Sequence, residues 1–302
     1  MTEMLSYDFM RRALIAAALV GLVAPVIGTF LVQRRLALLG DGIGHVALTG
    51  VALGFLTGTS PVLTALIVSA LGAAAIELVR VRARTGGDVA LALLFYGGIA
   101  GGVLLIGLAP GANNATLTAF LFGSVSSVSE EDIAVVIGLA VLVVALIAYF
   151  GRELFVLCMD EDTARAAGLP VRFLSLLVSI TAAVTVVISM RVVGVLMVSA
   201  LMVVPVVAAQ QLTRSFRVTA ALAVAIGVLS AVGGLSTAFY ADVAPGAAIV
   251  LLTLAVFAVA VVAGRLVRSR GGRAAEEHTA PAGGTGAAVG TMPQDEPGSV
   301  ST

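Results

Sequence analysis

The sequence predicts an all-α protein, a polytopic transmembrane helix bundle with eight or nine spans, and three observations predict it. First, hydrophobic residues fill 60% of the 302 positions and charged residues only 11%, against about 25% charged in a soluble domain. Second, the charges gather between long uncharged runs at 13–33, 46–76, 89–129, 133–151, 173–190, 192–213, 218–241 and 243–264. Most of these runs reach or exceed the roughly 20 apolar residues that cross a hydrocarbon core. A soluble fold of this length encloses too small a core to hide them. Third, arginines mark alternate loops, as cytoplasmic loops do in membrane proteins. They are Arg34 and Arg35; Arg80, Arg82 and Arg84; Arg152 and Arg165; Arg214 and Arg217; Arg265, Arg268 and Arg270.

Taken in order, spans are expected near 13–33, 36–57, 61–79, 89–108, 133–150, 173–190, 193–212, 218–238 and 246–265. Two uncharged runs must be split, one by Gly58–Pro61 and one by Pro110–Asn114. Residues 111–128 are too polar and short for a span and fit a re-entrant piece buried in protein. The loops at 57–60, 109–132 and 239–246 carry acids or no charge and fall on the opposite side. Arg11, Arg12 and Arg191 run against that pattern. No cleavable leader is expected, because the first apolar run is too long for a signal sequence. The chain divides into an N-terminal segment (1–12), a transmembrane domain (13–266) with a long cytoplasmic connection at 152–172, and a tail (267–302). The tail is rich in Gly, Ala, Pro, Ser, Thr and acids, a composition that reads as disordered; His278 within it reads as a solvated side chain. The lone Cys158 excludes an intrachain disulfide and a multi-cysteine metal site.

Three segments carry chemistry. Asp41 and His45, at the start of the second span, are four residues apart and project from one helix face. A carboxylate inside a membrane helix costs about 2.5–3.5 kcal/mol and normally faces a cavity, a partner or a pathway. Carboxylate and imidazole together suit zinc or manganese. Two readings stand: the pair lines a metal path, or its members satisfy each other or nearby backbone. One copy supplies two ligands where zinc usually takes four; two copies across a two-fold axis would supply four. In the second segment, Asp160 can cap a short helix through Glu161, Asp162, Ala164 and Arg165, stopped by Gly168 and Pro170. That helix is either a docking element or an ordinary surface loop. The third runs from Val193 to Pro205: Gly194 and Ser199 allow close helix approach, and Pro205 should kink the span. Helix packing alone explains it.

In this order, these segments resemble the membrane subunits of the zinc and manganese ABC importers. The likeness rests on Arg34–Gly54, on the Asp160–Pro170 loop ending Ala-Gly-Leu-Pro, on Val193–Arg214 and on Phe239–Ile249. It covers about residues 10–266. It implies a type II ABC importer-like permease, a homodimer in the lipid bilayer of the cell membrane. It also implies two cytosolic ATPase subunits that use ATP, an extracytoplasmic metal-binding protein, and no nucleic acid. Asp41 and His45 would lie on the translocation path, and Asp160, Glu161, Asp162, Ala164, Arg165 and Gly168 would couple to the ATPase. Zinc is the first expectation for the transported ion and manganese the second, with no permanently bound cofactor. The sequence carries no nucleotide-binding motif, so energy would come from another chain. Other classes compete: a permease for a chelate such as a siderophore or cobalamin, and an ion-coupled secondary transporter. An intramembrane metalloprotease would need more ligands than one membrane histidine provides.

Overall fold

The computed structural model describes Met4 and residues 6–82, 87–109, 119–124, 130–190 and 192–279. Its long helices are α1 (Asp8–Gln33), α2 (Leu39–Thr57), α3 (Pro61–Arg82), α4 (Gly87–Leu108) and α5 (Glu130–Met159). A one-and-a-half-turn helix α6 (Glu161–Ala166) follows. Then come α7 (Val171–Ser189), α8 (Val195–Leu212), α9 (Phe216–Ala241) and α10 (Pro245–Thr279). Among the described residues, eight helices are long and apolar enough to span a membrane, and α8 is a shorter apolar ninth. The expected segment 111–128 falls mostly outside the described residues, which here show a helical turn at 119–122. Residues 1–263 form one compact unit and 264–302 a second. The expected tail from 267 begins on the last turns of α10, and from 280 it lies outside the described residues.

Burial sorts the helices into a centre and a periphery. In α1 and α7, 67% of the most apolar window is buried inside the chain, against 11% in α4 and 17% in α5. A helix that is apolar all round and still exposed presents itself to lipid or to another chain. The centre is held by close backbone approach, the main source of helix association where lipid is as apolar as leucine. At the α1–α9 crossing, a Cβ on Gly21 would lie 2.7 Å from the carbonyl oxygen of Gly227, so neither residue has room for a side chain. Pro25 sits one turn further along α1 and leaves the helix unbroken. The Thr29 hydroxyl donates to the Pro25 carbonyl at 2.8 Å, one of several back-bonds that satisfy buried Thr and Ser hydroxyls here.

Local chemistry sets the breaks between helices. Gly58 ends α2 with φ +68°, and Pro61 starts α3 where its missing N–H costs nothing. Arg12 at the start of α1 meets Glu130 at the start of α5, 2.6 Å apart. This ion pair places the start of α1 on the side where α5 begins, opposite α6, and gives a partner to an arginine that runs against the loop pattern.

Candidate functional site: an acid–imidazole pair and a cross-helix

Asp41 lies in the first turn of α2, where the helix dipole favours a carboxylate, and His45 lies one turn further. The helix runs without interruption through Gly42 and Gly44, residues that weaken a helix by about 1 kcal/mol each relative to alanine. Their reason is space: a Cβ on Gly42 would press on Leu94 of α4 at 3.2 Å, and one on Gly44 on the Val195 carbonyl of α8 at 3.2 Å. The two glycines let α4 and α8 close on either side of the pair.

No hydrogen bond or ion pair joins Asp41 to His45 among the described residues. Asp41 Oδ1 instead accepts from the Ser199 hydroxyl of α8 at 3.3 Å. The carboxylate, half-buried, shares an open cavity of about 350 Å³ with Leu38, Leu91, Phe95 and Tyr96. The His45 ring is 9% exposed and stacks edge-to-face on Phe95, with ring centroids 4.4 Å apart. Gly98 brings α4 against the backbone of His45, where a Cβ would fall 2.8 Å from His45 C. The Thr49 hydroxyl donates to the Gly98 carbonyl at 2.7 Å and ties the same two helices. An anionic oxygen and an imidazole held apart, each with spare lone pairs, can ligate a divalent cation. Among the described residues no group of three or more His, Cys, Asp or Glu side chains comes together. One copy of the chain therefore offers two protein ligands here.

Ser199, expected only to ease helix packing, supplies a hydrogen-bond donor to the pair. Its distance in sequence from Asp41 gives no signal of that role. Gly194 stands just before α8 with φ +86° and lies against the Leu121 carbonyl, where a side chain would collide. Pro205 lies inside α8, which continues past it to Leu212.

The second cluster surrounds α6. Asp160 caps it: Oδ1 accepts from the Asp162 N–H at 3.2 Å and Oδ2 from the Thr163 N–H at 3.1 Å. Hydrogen bonds from the Thr163 side chain and backbone, joined by that of Asp162, hold the Asp160 carboxyl below its usual range. At the other end, Gly168 (φ +75°) donates to the Arg165 carbonyl and Leu169 to that of Ala164, both at 3.1 Å. This is a Schellman stop, and Pro170 begins the next helix. Asp162 and Arg165 point outward, with 90% and 65% of their side chains exposed. Ala164 is fully buried against the bundle. Glu161 faces inward: its carboxylate lies 3.1 Å from Arg165 and 3.8 Å from Arg34 at the end of α1.

Arg34 leads into a buried polar network that no local sequence pattern announces. Its side chain donates to the Ser175 hydroxyl of α7 at 2.7 Å. Arg80 of α3 donates to the same hydroxyl at 3.3 Å and to Glu77 at 2.9 Å. Glu77 is buried, and charge in such a place is tolerated only when paired. Through Glu161, Arg34, Ser175 and Arg80, the cross-helix α6 is linked by polar contacts to α1, α7 and α3.

Eight apolar helices of spanning length, with the charged cross-helix on one side, make this a multi-pass membrane protein. The comparisons with known proteins agree. The family model described as the ABC 3 transport family matches residues 6–264, and the chain belongs to that family, the metal-importing type of ABC permease. The manganese transport system membrane protein MntC of Halalkalibacterium halodurans is 36% identical over 85% of this chain and 88% of its own length. The manganese import system permease protein ScaB of Streptococcus gordonii is 30% identical, over 84% of this chain and 90% of its own. Among solved structures, PsaBC from Streptococcus pneumoniae in complex with Fab matches with a TM-score of 0.76 and 30% identity, covering 84% of this chain and 91% of that one.

Proposed function

We propose that this chain carries manganese across the membrane as half of a homodimeric permease, with zinc as the second candidate ion. The sequence alone puts zinc first; what reverses the order is that the MntC and ScaB relatives are named as manganese systems. Their names state an ion and not a chelate, which disfavours the siderophore or cobalamin reading. The observation that carries the site is the Asp41–His45 pair, unsatisfied by each other and oriented from outside by Ser199 and Phe95. Two copies facing one axis would present two carboxylates and two imidazoles to the ion. A transport site must hold its ion weakly enough to release it, and few protein ligands suit that need.

In this reading an extracytoplasmic binding protein delivers the ion to the face opposite α6. A cytosolic ATPase docks on the outward residues of α6, Asp162 and Arg165. ATP hydrolysis there moves α6, and Glu161 and buried Ala164 carry the motion into the bundle. The test is uptake of labelled manganese, with zinc as competitor, in cells lacking their own importer and expressing Asp41→Ala or His45→Ala. Both variants should lose most uptake at unchanged surface expression. Normal uptake in both removes these residues from the path, and preferential block by zinc restores zinc as the cargo.

A further inference from the structure

The proposed transport path makes no use of the groove between the α6-side ends of α5 and α9. The uncharged run of α5 spans 133–151 and ends at Arg152. At 1.5 Å per residue this run is about 28 Å long, close to the hydrocarbon thickness. The uncharged run of α9 begins at Val218, directly after Arg217. Both guanidinium groups therefore stand at the same edge of the hydrocarbon layer, and the structure brings them to one groove of about 700 Å³.

The groove has a built floor. Phe155 of α5 meets Phe216 of α9 at 4.9 Å between ring centroids, and Phe216 meets Phe30 of α1 at 5.7 Å. The Phe155–Phe216 contact bridges α5 and α9, which otherwise barely meet, and Phe30 ties it to α1; on the membrane side of the groove α5 presents exposed Val141 and Val144. Arg152 and Arg217 are exposed and have no hydrogen bond or ion pair among the described residues. By contrast, Arg34, Arg80 and Arg165 on the same side each have a carboxylate within 4 Å. Glu153, next to Arg152 in sequence, has a buried Oε2 without a partner and gives Arg152 no counter-charge. Ser215 precedes α9 without a side-chain cap, so the free N–H groups of the first turn add positive potential beside Arg217.

We propose that this groove seats the headgroup of an anionic phospholipid, with Arg152 and Arg217 on its phosphate, the Phe155–Phe216 floor under the headgroup at the interface, and its first acyl carbons on the exposed apolar side of α5 towards Val144. The charge calls for an anion, and the place of the two arginines at the hydrocarbon edge, beside the exposed apolar side of α5, calls for a lipid over a soluble phosphate. The inference rests on the groove and its membrane register and is independent of which ion is carried.

The test uses the full chain purified in neutral detergent and titrated with phosphatidylglycerol, phosphatidylcholine or inorganic phosphate. Native mass spectrometry counts retained lipid. Arg152→Gln/Arg217→Gln is compared with a control pair, Arg35→Gln/Arg172→Gln, that removes equal charge from other exposed positions on the same side. The wild-type chain should retain phosphatidylglycerol over phosphatidylcholine, the groove pair should cut that retention about tenfold, and the control pair should leave it unchanged. The two single substitutions, each giving a partial loss, guard against a double variant that fails to fold. Equal loss in the control pair, equal retention of phosphatidylcholine, or displacement by inorganic phosphate would each overturn the proposal. So would lipid exclusion when the partner ATPase is bound, which would make the groove a protein-docking surface.

Discussion

Gly97 and Gly98 are neighbours in α4 with opposite surroundings, and substituting each by alanine isolates what the α2–α4 contact contributes. A Cβ on Gly97 meets nothing within 4 Å, whereas one on Gly98 would lie 2.8 Å from both His45 C and Val46 N. Ordinary contact begins near 3.4 Å, so α4 must retreat by about half an ångström from backbone that cannot swing aside. Overpacking of that kind costs about 1–3 kcal/mol. Both alanines gain about 1 kcal/mol of helix propensity, which cancels in the comparison. Gly98→Ala should therefore melt about 2–12 °C below Gly97→Ala, at 2–4 °C per kcal/mol for a chain of this size. The assay is thermal unfolding of the purified chain, read together with metal uptake, because the same retreat loosens Phe95 from His45 and the Thr49 tie to the Gly98 carbonyl. Equal melting temperatures would refute the packing argument. Reduced stability with full uptake would separate helix contact from the site.

Two further expectations concern α6. Glu161→Gln keeps the outward face of α6 and removes the charge that approaches Arg34; ATPase co-purification should survive while uptake per ATP hydrolysed falls several-fold, and loss of co-purification would mean that Glu161 meets the ATPase directly. Asp160→Ala should raise hydrogen exchange across 161–166 by removing the cap. The native Asp160 pKa is depressed, so its contribution is fully present above the unfolded carboxylate pKa, declines as pH falls below that value and is gone below the lower native one. Once corrected for intrinsic rates, exchange across 161–166 in the native protein should stay flat from neutral pH down to the ordinary carboxylate range and rise as pH falls through it, a rise that Asp160→Ala should lack; the same rise in Asp160→Ala would contradict the capping geometry.

The local features of this protein are legible in its sequence because they depend on neighbours along the chain. Apolar run length marks the spans, Gly58 and Pro61 mark the turn between α2 and α3, and Asp160 with Gly168 marks both ends of α6. The four-residue spacing of Asp41 and His45 is enough to put them on one face of α2. What the sequence does not show is which neighbour each side chain faces. Ser199 lies 158 positions from Asp41, and only the approach of α8 to α2 turns a small packing residue into a hydrogen-bond donor at the site.

The sequence by itself therefore determined the membrane class, the span order and the cross-helix, since hydropathy, capping and backbone conformation are short-range properties. Tertiary structure alone decided that Glu161 points inward while Asp162 and Arg165 point out, and that Arg34, Arg80, Ser175 and Glu77 form one buried network. It likewise decided that Gly98 is indispensable where Gly97 is free, and that Arg152 and Arg217 share a groove. Each of these is a contact between helices distant in sequence. A uniformly apolar helix surface carries no periodic mark of the face its neighbour will cover.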